Sequence, residues 1–282
     1  MREVAAATEG NLESTDHTRL AYRAWPQADA SVMFAVVHGM GEHSGRYETF
    51  ARGMARFGMA TYAVDLRGHG RSDGRRGHID SWTQWVDDTA AFVMLVESHA
   101  QANDRQAEVI PLGHSFGGCV MLSAIRSGKL PKTKRFVLSS PALRLATAPA
   151  GWKSALGSVV DHVAPRLALD NGVDAATVSR IPEVVTAYRT DPLVHRKISG
   201  RLFAEWQRAA QDNLAHADEI SIPFLILAGT ADRLIDSKGS EELHARASAT
   251  SDLRLLDGRY HEPFNDLGND QVFEMIAEWV RK

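Results

Sequence analysis

The amino-acid sequence predicts an α/β protein with a mostly parallel central sheet, helices on both faces and an inserted helical cap. Three observations carry that prediction. Short apolar runs recur between longer segments of helical period, the pattern of a sheet buried on both sides. One such run, residues 109–112, passes through Gly113-His114-Ser115-Phe116-Gly117 straight into a helical pattern formed by Gly118, Val120, Met121 and Ala124. Between Pro141 and Ile220 the strand rhythm stops for about 80 residues, more than a compact strand-to-helix connection uses.

In chain order, residues 20–25 and 32–37 alternate around Pro26-Gln27-Ala28-Asp29 and read as an opening hairpin. Further strands are expected at residues 61–64, 109–112, 136–138, 224–228 and 253–256. Pro111 cannot donate to a ladder, so a local bulge is expected in the strand that contains it. The loop Asp65-Leu66-Arg67-Gly68-His69-Gly70-Arg71-Ser72 follows the third of these strands, and its glycines and arginines suit a structural role, shaping and pinning the chain beneath the site. Within the cap, Trp152, Ala155, Leu156, Val159, Val160 and Val163 form one apolar helical stripe that Pro165 ends. The stripe can cover a pocket, touch a lipid surface or pack on the body of the protein. The expected division is residues 1–141 and 221–282 as one core interrupted by a cap at 142–220.

The turn at residues 113–117 carries the chemistry. A serine between strand and helix on so sharp a turn is held in a strained conformation, with its hydroxyl projecting and the next amide free to bind an oxyanion. Side chains at Gly113 and Gly117 would collide with the adjoining strand and helix. A hydroxyl is a weak nucleophile until a base takes its proton, and the base needs an acid to orient it. Behind such an elbow the order is serine, carboxylate, histidine. Asp232 lies just past the apolar run 223–228, and His261 lies in the loop after the run 253–256. An alternative remains open at the acid: Asp236 could serve, with Asp232 merely capping the helix that begins near Ser237. His216 and His244 fall on polar helix faces and need no function, whereas His38 and His114 flank the expected site.

Four separated segments, His38-Gly39-Met40-Gly41-Glu42-His43-Ser44-Gly45-Arg46-Tyr47, Gly113 to Gly118, Ala231-Asp232-Arg233-Leu234-Ile235-Asp236-Ser237-Lys238-Gly239 and Tyr260-His261-Glu262, together with Thr190-Asp191-Pro192-Leu193, resemble the monoacylglycerol lipase group of α/β-hydrolases. The resemblance runs from about residue 10 to the C-terminus. Phe116 departs from it, since the family more usually has Met there; both are bulky and apolar, and the backbone amide is unaffected. In this fold one oxyanion donor follows the nucleophile and another comes from the loop after an early strand, which points to the amides of Phe116 and Met40. The resemblance further implies that Glu42, Arg46, His114 and Tyr188 line the pocket for the glycerol leaving group. Glu42 and Arg46 could equally form a loop-fixing ion pair, and Tyr188 could be a core residue of the cap.

Composition agrees. At 282 residues the chain suits one domain with an insertion, and a 44% hydrophobic content permits a large core. A net charge of −3 with no basic stripe argues against a nucleic-acid partner. Cys119 is the only cysteine, so no intrachain disulfide forms; its place on the helix after the elbow reads as core. No apolar leader and no run approaching 18 apolar residues is visible, giving the expectation of a cytoplasmic protein with transient membrane contact through the cap. No spacing resembles a metal-ligand set and no organic cofactor is implied. The expected reaction is cleavage of monoacylglycerols to fatty acid and glycerol through an acyl-enzyme. A broad carboxylesterase, a lysophospholipase, a proline-type aminopeptidase and a hydrolase-fold ligand receptor remain alternatives; dehalogenases and epoxide hydrolases need a carboxylate where this chain has Ser115.

Overall fold

Residues 6–102, 106–131, 133–147 and 164–282 are described in the computed structural model. In chain order the strands are β1 (Thr8–Glu13), β2 (Arg19–Trp25), β3 (Val32–Val37), β4 (Ala60–Val64), β5 (Glu108–His114), β6 (Phe136–Ser139), β7 (Ala168–Asp170), β8 (Lys197–Ser199), β9 (Phe224–Gly229) and β10 (Ser251–Leu256). Eight of them form one sheet in the order β1-β2-β4-β3-β5-β6-β9-β10, parallel from β4 to β10 and antiparallel at the β1 and β2 end.

The continuous apolar runs are explained by burial on both faces. Along β3, Val32, Phe34 and Val36 enter one core with Phe50 and Met54 of α1 (Glu48–Ala55) and Phe273 and Ile276 of α7 (Asn269–Val280). Met33, Ala35 and Val37 enter the other, which contains Val93 of α2 (Trp82–Ala102), Val120 of α3 (Phe116–Arg126), Leu214 of α5 (Gly200–Ala215) and Leu243 of α6 (Lys238–Arg246). With both faces apolar, a strand of this kind belongs in the sheet interior.

That requirement overturns the expected hairpin. β2 and β3 are not neighbours: β2 pairs with β1 and β4, while β3 lies between β4 and β5. The true hairpin partner, Thr8–Glu13, is a polar edge strand with an exposed pattern and no apolar signal. Nor does Pro111 cause a bulge in the β3 ladder, whose register runs unbroken from Val32 opposite Glu108 to Val37 opposite Gly113. Pairing with the short β6 begins at Leu112, one residue after the proline, so the missing donor coincides with the end of that ladder.

The chain between β6 and β9 contains the small antiparallel pair β7 and β8, α4 (Pro182–Thr190) and α5. The apolar stripe expected from Trp152 to Val163 lies outside the described residues. The α5 helix buries Leu202, Ala209, Ala210 and Leu214 in the main core against α3, and Trp206 Nε1 donates to the Ala142 carbonyl at 2.8 Å. The loop after β4 is pinned as its composition suggests. Asp65 accepts the Ser44 and Arg71 amides at 2.7 and 2.8 Å, and Arg67 bridges Asp88 and Asp16.

Candidate active site

At the end of β5 the backbone turns sharply, and Ser115 adopts φ 52°, ψ −120°, a conformation rare for any residue with a side chain. Such strain costs on the order of 1–3 kcal/mol and persists only where the surroundings enforce it. Here the enforcement is explicit. The Ser115 amide donates to the Ser139 carbonyl at 2.8 Å, and the Ser115 carbonyl accepts from Gly118 and Ala142, both at 2.9 Å. Glycine is required on both sides: a Cβ on Gly113 would lie 2.6 Å from the Gly117 carbonyl oxygen and 2.8 Å from the Met121 Cβ, while one on Gly117 would strike the carbonyls of Val37 and His38.

Two further strand ends bring the partners. His261 Nε2 lies 2.8 Å from Ser115 Oγ, and His261 Nδ1 lies 2.7 Å from Asp232 Oδ2. The other Asp232 oxygen accepts the Leu234 and Ile235 amides at 2.8 and 3.0 Å. The alternative acid is accounted for: Asp236 Oδ1 accepts the Lys238 amide at the start of α6, while Asp232 is the partner of the histidine. Burial opposes charge on His261, but the Asp232 charge and hydrogen bond, with Glu262 and Glu42, outweigh it and raise its pKa above 6.5. On Asp232, burial is likewise outweighed by His261 and the two amides, and the carboxyl titrates below its ordinary value. The hydroxyl is thus hydrogen-bonded to a base whose protonated form is favoured, the arrangement needed to take a proton from an attacking oxygen.

The loop after β3 passes close to Ser115, since a Cβ on Gly39 would lie 3.2 Å from the serine Cβ. The amides of Met40 and Phe116 donate to no acceptor among the described residues, and both residues line a cavity of about 620 Å³ that opens on Ser115 and His261. Leu145, Ile198, Phe203, Trp206 and Leu234 give most of its wall an apolar character. Phe116 sets its ring edge-on to Trp85, Trp82 and Trp206, at centroid distances of 4.9, 5.4 and 5.8 Å, so the departure to Phe is absorbed by an aromatic cluster.

The four expected alcohol-pocket residues divide. Glu42 is on the wall but its oxygens are occupied: Oε1 accepts from the Gly39 amide at 2.6 Å and the Tyr47 hydroxyl at 2.9 Å, and Oε2 from Arg46 at 2.7 Å. Burial opposes its ionisation, but Arg46 and His114 hold its pKa down at about 2. Arg46 lies behind the wall, not on it, clamped between Glu42 and both oxygens of Glu262, with its guanidinium 4.6 Å above the Tyr188 ring. The loop-fixing ion pair therefore exists. Tyr188 packs with Ala175 and Val178 yet reaches the cavity, and its hydroxyl has no partner among the described residues. His114 lines the cavity; its Nδ1 lies 3.1 Å from Ser139 Oγ, and its Nε2 has no hydrogen-bond partner among the described residues. Burial and the neighbouring His261 depress its pKa to about 4, so the ring is neutral.

Glu262, one residue after His261, had no role in the sequence reading; its bidentate partner is 216 positions away and gave no local signal. His38 uses Nδ1 on the Gly39 carbonyl and Nε2 on the Leu66 amide, a structural role. Burial pushes the Cys119 thiol up to about 12, as expected of a core residue. Among the described residues no cluster of His, Cys, Asp or Glu converges as a metal site would, and no helix is long and apolar enough to cross a membrane.

Comparison with known proteins gives a consistent result. Residues 27–268 match the family described as serine aminopeptidase, S33. The chain is 34% identical over 281 residues to a monoacylglycerol lipase of Mycolicibacterium smegmatis, covering 97% of this chain and 96% of that one. It is 33% identical over 282 residues to the human monoglyceride lipase, covering 96% and 89%. Among solved structures, the monoacylglycerol lipase of Paleococcus ferrophilus superposes with a TM-score of 0.76 at 29% identity, over 98% of both chains.

Proposed function

Because the chain belongs to the serine aminopeptidase S33 family of α/β-hydrolases and is a lipid ester hydrolase within it, we propose that it cleaves monoacylglycerols to fatty acid and glycerol with Ser115 as nucleophile. The observation that carries this reading is the hydrogen-bonded series Asp232, His261, Ser115 opening on an apolar cavity. His261 Nε2 takes the Ser115 proton as Oγ attacks the ester carbonyl, and Asp232 stabilises the imidazolium. The Met40 and Phe116 amides hold the oxyanion. The alcohol leaves with the proton from His261, and water activated by the same nitrogen releases the acid.

Cavity size and charge favour a monoacyl ester. About 620 Å³ lies within the ~300–1,000 Å³ that encloses one small ligand, enough for a single acyl chain and its alcohol rather than a triacylglycerol. An aminopeptidase would need an uncompensated carboxylate for the substrate ammonium. Glu42, Glu262 and Asp170, the acidic residues of the wall apart from the site itself, are each paired with arginine. Several cavity-lining groups have no hydrogen-bond partner among the described residues, Asn171 Nδ2 included; of these, His114 Nε2 and the Tyr188 hydroxyl meet the alcohol, and Glu42 and Arg46 hold that wall in place. The segment 142–220 acts as the cap over the acyl chain.

The test is fatty-acid release from a long-chain monoacylglycerol beside the matching diacylglycerol, a lysophospholipid and a short aryl ester, with Ser115→Ala protein as the blank. Preference for the monoacylglycerol, weakened selectively by Tyr188→Phe, is the expected result. Activity confined to the aryl ester would overturn the substrate assignment, and activity in the Ser115→Ala protein would overturn the mechanism.

A further inference from the structure

The loop that carries Met40 is held from two directions. Within the loop, Glu42 fixes the Gly39 amide at 2.6 Å and is tied through Arg46 to Glu262 of the body, and Asp65 of the body fixes the Ser44 amide at 2.7 Å. The chain between α4 and β8, inserted far away in sequence, supplies the other hold. The His195 amide donates to the Gly41 carbonyl at 2.8 Å, and Asp191 Oδ2 lies 2.8 Å from His43 Nε2. Met40 thus sits between one neighbour anchored to the body and another anchored to the insertion.

The His43 bond is fully specified. Its Nδ1 accepts the Gly45 amide at 3.1 Å, which leaves the proton on Nε2 for Asp191. Asp191 is itself rigid: its amide donates to Ala187 at the end of α4 at 3.0 Å, and its Oδ1 accepts the Leu193 amide at 2.8 Å. The pair is screened from water on the His43 side, where the side chain is 6% exposed against 27% for Asp191. Gly41 adopts φ +78°, and any Cβ there would run into the His195 carbonyl, so the two segments approach as closely as backbones can.

We propose that Asp191 is a positioning residue for the oxyanion hole: through His43 it fixes the loop that aims the Met40 amide, so the segment covering the cavity also completes the geometry at Ser115. This rests on the reading of Met40 as an oxyanion donor. Asp191 touches neither substrate nor the reacting atoms; its effect passes through the loop.

A short aryl ester makes the test clean, because it needs little from the acyl or alcohol pockets. Asp191→Ala lowers kcat by about tenfold to a hundredfold, part of what loss of one oxyanion donor costs, and leaves KM within about threefold. Affinity for a trifluoromethyl ketone, which forms the tetrahedral adduct on serine, falls by a similar factor. Asp191→Asn keeps the side-chain size but offers one acceptor oxygen to two donors, His43 Nε2 and the Leu193 amide, so it lowers kcat in the same direction as Asp191→Ala and with the same unchanged KM. His43→Phe keeps the ring volume but removes the donor to Asp191 together with the acceptor of the Gly45 amide, so its loss is at least as large, and the two losses are less than additive in the double variant because both break the His43–Asp191 contact. Melting temperatures are read alongside.

Unchanged kcat in Asp191→Ala or in His43→Phe would overturn the proposal, as would losses confined to KM or to long-chain substrates. If Asp191→Ala does not fold, His43→Phe and Asp191→Asn decide the matter. A parent protein whose turnover survives Ser115→Ala would instead remove the underlying reading of the site.

Discussion

Gly117→Ala adds a single methyl group where strand β3, the Met40 loop and the elbow meet. The added Cβ would lie 2.7 Å from the Val37 carbonyl carbon and nearer still to the Val37 and His38 carbonyl oxygens, against a floor of 3.0 Å for real Cβ contacts. The end of β3 and the start of α3 must therefore separate by at least 0.3 Å, and by more for the two oxygens. Gly117 does not occupy the left-handed region, so the cost is steric. Helix propensity alone would favour alanine by about 1 kcal/mol, which makes a loss of stability the more informative sign. Overpacking of this kind costs about 1–3 kcal/mol, a fall in Tm of roughly 2–12 °C for a chain of this size. That leaves a protein with the usual ~5–15 kcal/mol folded at 25 °C.

The functional cost should be larger than the structural one. The displaced carbonyl belongs to His38, two residues before Met40, while the Phe116 amide directly precedes Gly117. Spreading the two proposed donors takes at least one out of the ~2.7–3.1 Å range in which an amide stabilises an oxyanion, a loss of about 10²-fold or more in kcat. Steady-state kinetics on a short aryl ester at 25 °C, with Tm from circular dichroism, separate the two effects. A variant whose Tm falls while kcat stays within about threefold of the parent would refute the reasoning that these amides act together.

Two other outcomes follow from the charges around the site. Because the His261 pKa is raised above 6.5 and the proposed mechanism uses the neutral ring as base, kcat/KM should climb through a midpoint above pH 6.5, and Asp232→Asn should move that midpoint down while cutting kcat by about 10⁴-fold. The linked stability runs the other way, being present below pH 6.5 and lost as pH rises through the folded pKa; a midpoint below pH 6.5 in the parent protein would count against this. Arg46→Met leaves the Glu42 and Glu262 carboxylates buried and facing each other without their cation, which should destabilise the protein by about 3–5 kcal/mol in denaturant titrations; a loss under about 1 kcal/mol would show that water or relaxation compensates for the arginine.

The sequence determined what depends on neighbours along the chain. Gly113, Ser115 and Gly117 fall in one turn, so their spacing alone announces a strained serine. Strands buried on both faces are continuous apolar runs, and β3, β4, β5, β6 and β9 were legible for that reason. Asp232 and His261 were legible because each lies just beyond a strand and strand ends converge at one edge of a parallel sheet. The edge strand β1 was not legible, because one solvated face and a polar composition leave no apolar signal.

Tertiary structure decided which strands are neighbours and which polar groups meet. Sequence proximity suggested that β2 and β3 form a hairpin, but burying both faces of β3 requires β4 and β5 on its flanks. The choice between Asp232 and Asp236 fell to the position of the His261 ring, and the fate of Glu42 to three donors that arrive from Gly39, Arg46 and Tyr47. The contacts of Arg46 with Glu262 and of His43 with Asp191 span 216 and 148 residues. No periodicity encodes such pairs, because a side chain's partner across a fold is fixed by how elements pack and not by where they stand in the chain.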